Sequence, residues 1–342
     1  MGGGEKLQSI GVVLIGRNEG ERLIRSLDSV VDGSRPVIYV DSGSTDGSCE
    51  AARERGAEVV ELDLSIPFTA ARARNAGFQY LRQHHPEIEF VQFIDGDCEV
   101  MAGWIEAAAQ TLRDDPEVVA VCGYRRERYP EHSVYNRICD IEWQTGPVGE
   151  VTHFGGDVMI RASALEAVDG YNNNVIAAED DEVSVRLRQA GGKIIRIDRV
   201  STLHDADMHN YSQWWKRAVR CGYGFAQVSY LHGDRPERKF VKEVTRTLLW
   251  GLGLPLVAFI LALPTRGLSL LLLARYPLSA IKIITSMKKQ GYSQADSNAW
   301  GISCAASAFP NVLGVIKFHL DRLQNKQYQI IEYKGAQAPV TK

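Results

Sequence analysis

Apolar residues enter this chain in short runs, each closed by a polar cluster. Ile10–Gly16 (IGVVLIG), Pro36–Asp41 (PVIYVD), Glu58–Asp63 (EVVELD), Phe90–Asp95 (FVQFID) and Val118–Gly123 (VVAVCG) have the length and composition of buried strands. Between them, Glu19–Val31, Thr45–Arg55, Ala70–Gln83 and Gly103–Arg113 space their apolar residues as helices do. Strand and helix alternating in this way predict an α/β architecture over the first ~120 residues. The polar clusters GRNEG, DSGSTDG and DGD fall where strands end. In an open parallel sheet the carboxyl ends of the strands form the ligand rim, so these clusters make one candidate site.

From Tyr124 to about Gly155 the pattern is irregular and rich in Arg, Tyr and Pro. Regularity returns in VMIRASALEAVDGY and in EDDEVSVRLRQAGGKIIRID. There Val183 and Leu187 share a helix face, Gly191-Gly192 ends the helix, and a strand follows.

After Lys242 the composition changes. Thr247 to Thr265 holds no charge, over about the ~20 residues a membrane-crossing helix needs. The next apolar stretch is broken by Arg275, Pro277 and Lys282, which suits an interfacial or re-entrant segment better than a crossing. Basic residues flank the pair (Arg238, Lys239, Lys242 and Arg246; Lys288 and Lys289), as a hairpin with both ends cytoplasmic would have. The alternative is a helical hairpin buried against soluble protein. NVLGVIKFHLDRLQNK beyond it is amphipathic and fits the same surface. The expected division is residues 1–240 as a catalytic domain, 241–290 as a hydrophobic hairpin and 291–342 as an amphipathic helix and tail.

Composition narrows the partners. A net charge of -3 with no basic block speaks against nucleic acid. The six cysteines are scattered without a C-x-x-C pair, as in a reducing compartment. MGGGEKLQS lacks the apolar core of a secretory signal and the Ser/Thr of a myristoylation signal.

Three motifs carry chemistry. Asp95 and Asp97 end a strand with one glycine between them, and like charges so close are costly unless something positive sits beside them. Such oxygen donors suit Mg²⁺ or Mn²⁺; an alternative is a solvated turn. In VDSGSTDGS, Thr45 or Asp46 can cap the following helix. An EF-hand fails there because Gly47 is one place late, and IGRNEG is no dinucleotide fingerprint. Glu179 to Glu182 are either functional or simply acidic residues well placed in a helix's first turn.

The order of these pieces is what discriminates. N-E after the first strand, D-x-G-S-T-D-G after the second, ARNAG, D-x-D, G-G, then E-D before an R-L-x-x-x-G helix, resembles the family 2 glycosyltransferases over roughly Gln8 to Gly233. The resemblance implies the A-type nucleotide-sugar-binding fold, a Rossmann-like mixed sheet flanked by helices, here with a C-terminal membrane-associated helical region. It places Asn18, Glu19 and Asp41 at the nucleotide base and ribose, and Arg74 near base and phosphates. Asp95 and Asp97 would bind the divalent cation on the diphosphate, Asp97 the more directly, so that Mn²⁺ or Mg²⁺ is the positive partner. Asp180 would be the general base of a single, inverting displacement. Gly155 and Gly156 would lie beside the donor sugar, with Asp157 near a sugar hydroxyl. His204 would complete the metal shell; a structural histidine is the alternative. QWWKRAVRCG resembles the Q-x-x-R-W segment of processive synthases only loosely, its Trp and Arg being transposed. Arg217 or Arg220 could clamp the diphosphate, or Trp214 and Trp215 could sit at a membrane interface.

The expected activity is metal-dependent transfer of a sugar from a nucleotide-diphosphate sugar to a lipid-linked or polysaccharide acceptor, at the cytoplasmic face of the cell membrane. Two rivals stand: a nucleotide-sugar-binding scaffold without turnover, and a phosphatase using an aspartate of DGD as nucleophile.

Overall fold

The computed structural model describes residues 9–326 and 329–333. They fall into two compact units. One holds the described residues up to Arg128 together with Trp143–Ala206; the other holds Tyr129–Glu142 and the described residues from Asp207 onward.

The first unit is built on a nine-stranded sheet in the order β3-β2-β1-β4-β8-β6-β9-β5, with β7 paired to β9. Its strands are β1 (Ile10–Gly16), β2 (Val37–Asp41), β3 (Glu58–Glu61), β4 (Phe90–Asp95), β5 (Cys98–Val100), β6 (Val118–Glu127), β7 (Gly149–Glu150), β8 (Val158–Arg161) and β9 (Lys193–His204). Strands β3, β2, β1 and β4 are parallel neighbours. Beyond β4 the sheet turns mixed, with β8 antiparallel to both β4 and β6.

Successive strand residues point to opposite faces, and two cores result. Val13, Ile15, Ile38, Val40, Val91 and Phe93 meet α3 (Ala70–His84), α6 (Ala162–Ala167) and α7 (Glu179–Gln189) on one side. Ile10, Val12, Leu14, Val37, Tyr39, Phe90 and Ile94 meet α1 (Glu21–Asp28), α2 (Ser48–Glu54) and α4 (Trp104–Asp114) on the other. The one polar residue inside the β4 run, Gln92, is fully buried and accepts the Trp104 indole N–H at 2.9 Å. Strand order reverses beside β1, between its neighbours β2 and β4, and such a switch point opens a crevice at the carboxyl ends.

Two local expectations are corrected. Neither Thr45 nor Asp46 is the N-cap of α2: left-handed Gly47 is, while Asp46 accepts from the Gly20 and Ser48 N–H groups and so ties the first two strand-end loops together. The stretch after Tyr124 is not irregular throughout, because β6 continues to Glu127 and α5 (Val134–Trp143) follows.

The second unit is helical: α5, α8 (Tyr211–His232), α9 (Val241–Leu248), a π-helical turn (Leu249–Gly253), α10 (Leu254–Ile260), a 3₁₀ stretch (Leu268–Ala274), α11 (Arg275–Lys289), α12 (Gln294–Ala306) and α13 (Ala308–Leu323). Its larger part begins at Asp207, upstream of the composition change after Lys242, because α8 packs along α13. Their backbones touch: a Cβ on Gly222 would come within 2.0 Å of Asn311 O, and one on Gly314 within 2.0 Å of Val219 O. Three helical stretches of the described residues are long and apolar enough to cross a membrane: Val241–Ile260, Leu268–Lys289 and Gln294–Leu323. The second of these was expected to be too broken by charge, and the third to be only amphipathic.

Candidate active site

The carboxyl ends of β1, β2 and β4 meet at one rim, as the polar clusters required. Gly96 N–H donates to Ile15 O at 2.7 Å, bringing the D-x-D turn against the end of β1. Asn18, in a left-handed conformation (φ 53°), accepts from the Thr45 N–H at 2.8 Å and its own N–H donates to Ser44 Oγ at 2.9 Å. Buried Asp41 accepts the Gly43 and Ser44 N–H groups, each at 2.8 Å, and the Tyr39 hydroxyl at 2.9 Å. Glu19 pairs with Arg22 at 2.8 Å. These contacts shape the loops on which Asn18, Glu19 and Asp41 stand.

Arg74 is the hub. It lies on α3, whose N-terminus is capped by Thr69 Oγ1 accepting from Arg72 N–H at 3.0 Å. Its buried guanidinium donates to Asp95 Oδ1 at 2.8 Å and to Glu179 Oε1 at 2.6 Å, with Asp180 Oδ1 at 3.5 Å. A second arginine, Arg125 from the end of β6, reaches Asp157 at 2.6 Å and Asp95 Oδ2 at 3.5 Å and lies over the Trp143 ring. Both oxygens of Asp95 therefore face guanidinium groups. Asp157 also accepts the Thr202 hydroxyl.

Asp97 closes the D-x-D turn. Its Oδ1 is 3.4 Å from His204 Nε2, because the turn into β5 pairs Cys98 with His204 across an antiparallel ladder. Two ligands on an octahedral ion stand roughly 3 Å apart, so this pair fits one. The Cys98 thiol donates to Asp97 Oδ1 at 3.5 Å; burial pushes its pKa well above the ordinary thiol value, so it is present as a neutral S–H. Glu127 is buried behind His204, its Oε2 accepting from Ala206 N–H at 3.0 Å and lying 3.9 Å from His204 Nδ1. A carboxylate there favours the tautomer protonated at Nδ1, which leaves the Nε2 lone pair on the side of Asp97.

Asp180 enters α7 just after Ala178, which holds a left-handed conformation (φ 59°). Burial raises its pKa well above the ordinary carboxylate range. Arg74 opposes that shift, while Glu179 and Asp95 add to it. Burial likewise raises Asp95, against the pull of Arg74 and Arg125. Asp180 Oδ1 is buried, while 17 % of the side chain as a whole is exposed.

Of the two glycines, Gly156 is buried against the cluster: a Cβ there would lie 2.6 Å from both Arg74 Nη2 and Asp95 Oδ2. Gly155 is exposed and faces open space. Arg217 belongs to the second unit, where it forms a two-pronged pair with Glu142 at 2.8 and 3.1 Å. Trp214 is buried and donates its indole N–H to Ser303 Oγ at 3.0 Å. Sequence reasoning missed Arg125, Glu127 and Trp143; the arginine excess in YRRERYP was the available signal.

Residues 12–168 match the family model "Glycosyl transferase family 2". Among curated proteins, Glycosyltransferase AglE of Haloferax volcanii is 24% identical over 256 residues, covering 71% of this chain and 80% of that protein. Among solved structures, the Pyrobaculum calidifontis mannosyltransferase PcManGT, in complex with GDP-Man and Mn²⁺, superposes with a TM-score of 0.57 at 20% identity, over 92% of this chain and 88% of that one. S. aureus TarS 1-349 in complex with UDP gives 0.51 at 14% identity, over 98% and 100%. At these identities the structural likeness is one of fold. Residues 12–168 therefore form a family 2 glycosyltransferase domain on an A-type fold, and the chain is a glycosyltransferase.

Proposed function

We propose that the protein transfers a sugar from a nucleoside diphosphate sugar, with inversion and dependence on a divalent metal, to a lipid-linked or saccharide acceptor at the cytoplasmic face of a membrane. The observation that carries this reading is the Asp97–His204 pair at 3.4 Å, set beside the Asp95–Arg74–Asp180 cluster on one sheet rim. Asp97 and His204 would hold the ion; their oxygen and nitrogen donors suit Mn²⁺ or Mg²⁺. Bound there, the ion would supply charge neutralisation for the departing diphosphate.

The chain's own residues do the rest. Asn18, Glu19 and Asp41 stand on the base and ribose side of the rim. Asp95, clamped by Arg74 and Arg125, fixes where Asp97 begins and keeps both guanidinium groups at the donor's edge. Asp180 accepts the proton of the acceptor hydroxyl as its oxygen attacks the anomeric carbon and the bond to the diphosphate breaks. One displacement from the side opposite the leaving group inverts that carbon. A base with a raised pKa is better matched to this proton transfer near neutral pH than an ordinary carboxylate. Arg217, engaged by Glu142, would have to exchange that partner to act as a diphosphate clamp.

Thermal melting with GDP or UDP, with and without Mn²⁺, tests the donor site. A ligand that binds only the folded state raises the melting point. A metal-dependent rise with one of the two, lost in Asp97→Ala, is the expected result. Folded protein that shows no shift with either would sink the reading. The anomeric configuration of the product, read by NMR, tests inversion separately.

A further inference from the structure

By length and composition, Gln294–Leu323 is as good a membrane span as Val241–Ile260 or Leu268–Lys289. Its surroundings differ. Only 6% of the apolar window of Leu268–Lys289 is buried in protein, against 33% for Gln294–Leu323. The latter is fastened to polar neighbours of its own unit. Arg137 on α5 pairs with Asp296 at 3.2 Å, the Trp214 indole on α8 donates to Ser303 at 3.0 Å, and the Gly222–Gly314 crossing locks α13 to α8 backbone to backbone. Helix α8 carries Lys216, Arg217 and Arg220, and α5 carries Glu142. A crossing Gln294–Leu323 would draw these charges toward hydrocarbon, where they are strongly disfavoured.

The side of α13 turned away from α8 has its own pattern. Phe309, Leu313, Ile316, Leu320 and Leu323 are all exposed and recur every three or four residues, so they form one apolar stripe. Lys317 flanks it, held to Asp321 at 2.8 Å. The stripe starts at a girdle of the preceding helices: the Phe309 ring lies 5.0 Å from that of Tyr276, the Tyr276 hydroxyl donates to Trp250 O, and Arg275 sits 4.7 Å over the Trp250 ring. Aromatic and basic residues at one level mark a lipid headgroup boundary. A helix that leaves this level with one apolar side, one protein-packed side and basic residues beside the stripe has the features of an in-plane anchor.

We propose that α12 and α13 do not cross the membrane. They lie along its surface with the Phe309–Leu323 stripe in the acyl layer of an anionic bilayer. The apolar tip between Trp250 and Arg275 dips beyond the level of this girdle and returns, so that α13 ends on the side where α8 began. This rests on the membrane-bound reading above.

Sided labelling tests it. Asp234→Cys, in the loop after α8, and Gln324→Cys, just past α13, are each expressed in the full-length protein. Inverted membrane vesicles are then treated with a membrane-impermeant maleimide, counting label above the parent. Both positions are expected to label to the same extent without detergent. If one labels freely and the other only after detergent, the helix crosses and the proposal falls. If the protein does not sediment with the membranes at all, the membrane reading itself fails, and the proposal with it. A second measurement places the stripe: bimane on Leu313→Cys, in phosphatidylcholine–phosphatidylglycerol vesicles, should be quenched more by lipids spin-labelled near the headgroup than in mid-chain. The reverse order would overturn in-plane insertion.

Discussion

Asp180 faces two opposing pulls, burial among carboxylates and an arginine at 3.5 Å, and burial wins. For a base this sets the direction of the pH dependence. The group must be ionised to accept a proton, so kcat/KM should fall as pH drops through a value above the ordinary carboxylate range. The stability effect runs the other way. A carboxyl whose folded pKa is raised holds its proton more tightly folded than unfolded, so its ionisation costs stability as pH rises through that same window. Asp180→Asn should therefore lower transfer by about 10²–10⁴-fold, leave nucleotide affinity in place, and melt no lower than the parent at neutral pH. Transfer at the parent rate in Asp180→Asn would remove Asp180 from the mechanism. The carboxylates themselves were legible in the sequence, because D-x-D and E-D are local. Their partners were not. Arg74 meets Glu179 across 105 residues, and Arg125 meets Asp157 across 32, contacts that only the sheet order creates. Beside Asp95 the fold itself places two guanidinium groups, those of Arg74 and Arg125, which the local D-x-D motif could not announce.

At the scale of elements, the parallel half of the sheet was readable and the mixed half was not. Ile10–Gly16 and Phe90–Asp95 are strands over their full expected length, since buried parallel strands are continuous apolar runs bounded by turn residues. Strand β6 outran its apolar run because Tyr124–Glu127 pair with β9 through irregular register while carrying polar side chains to the site. Strand β8 slots between β4 and β6 out of chain order, a placement no local pattern encodes. It also explains Gly156, two residues before β8. The antiparallel pairing with β4 brings this backbone onto the Arg74–Asp95 pair, leaving no volume for a methyl group. Gly156→Ala should cost about 1–3 kcal/mol, the usual range for overpacking a filled site, and should weaken nucleotide binding as Arg74 and Asp95 separate. Gly155→Ala, facing open space, serves as the control. Equal melting points for the two variants would show that the contact yields more easily than its geometry implies.

For the whole molecule, the exposed apolar surface of the second unit outweighs anything the net charge indicates. Leu263 is 92% exposed and Leu271 69%, and Leu256, Phe259, Ile260, Leu268 and Leu278 are exposed with them. Soluble monomers seldom leave so much contiguous apolar area in water. The alternative of a hairpin buried against soluble protein would require these side chains to be covered, and within their unit they are not. The uncharged run from Thr247 to Thr265 made this half of the chain legible. The amphipathic pattern from Asn311 onward was readable too, but composition cannot tell a helix surrounded by lipid from one fastened to Arg137 and Trp214. The two segments Val241–Ile260 and Leu268–Lys289 then decide how the protein leaves a membrane. Alkaline carbonate strips proteins held by charge but not those held by acyl chains, so the chain should stay in the carbonate pellet and enter solution only with detergent. Replacing Phe259, Ile260 and Leu263 together by Ser should move a measurable fraction into the carbonate supernatant while leaving nucleotide-dependent melting of the first unit unchanged. Recovery of the unaltered protein in the carbonate supernatant would mean that these side chains find a protein partner instead, and would return the second unit to the family of buried helical hairpins.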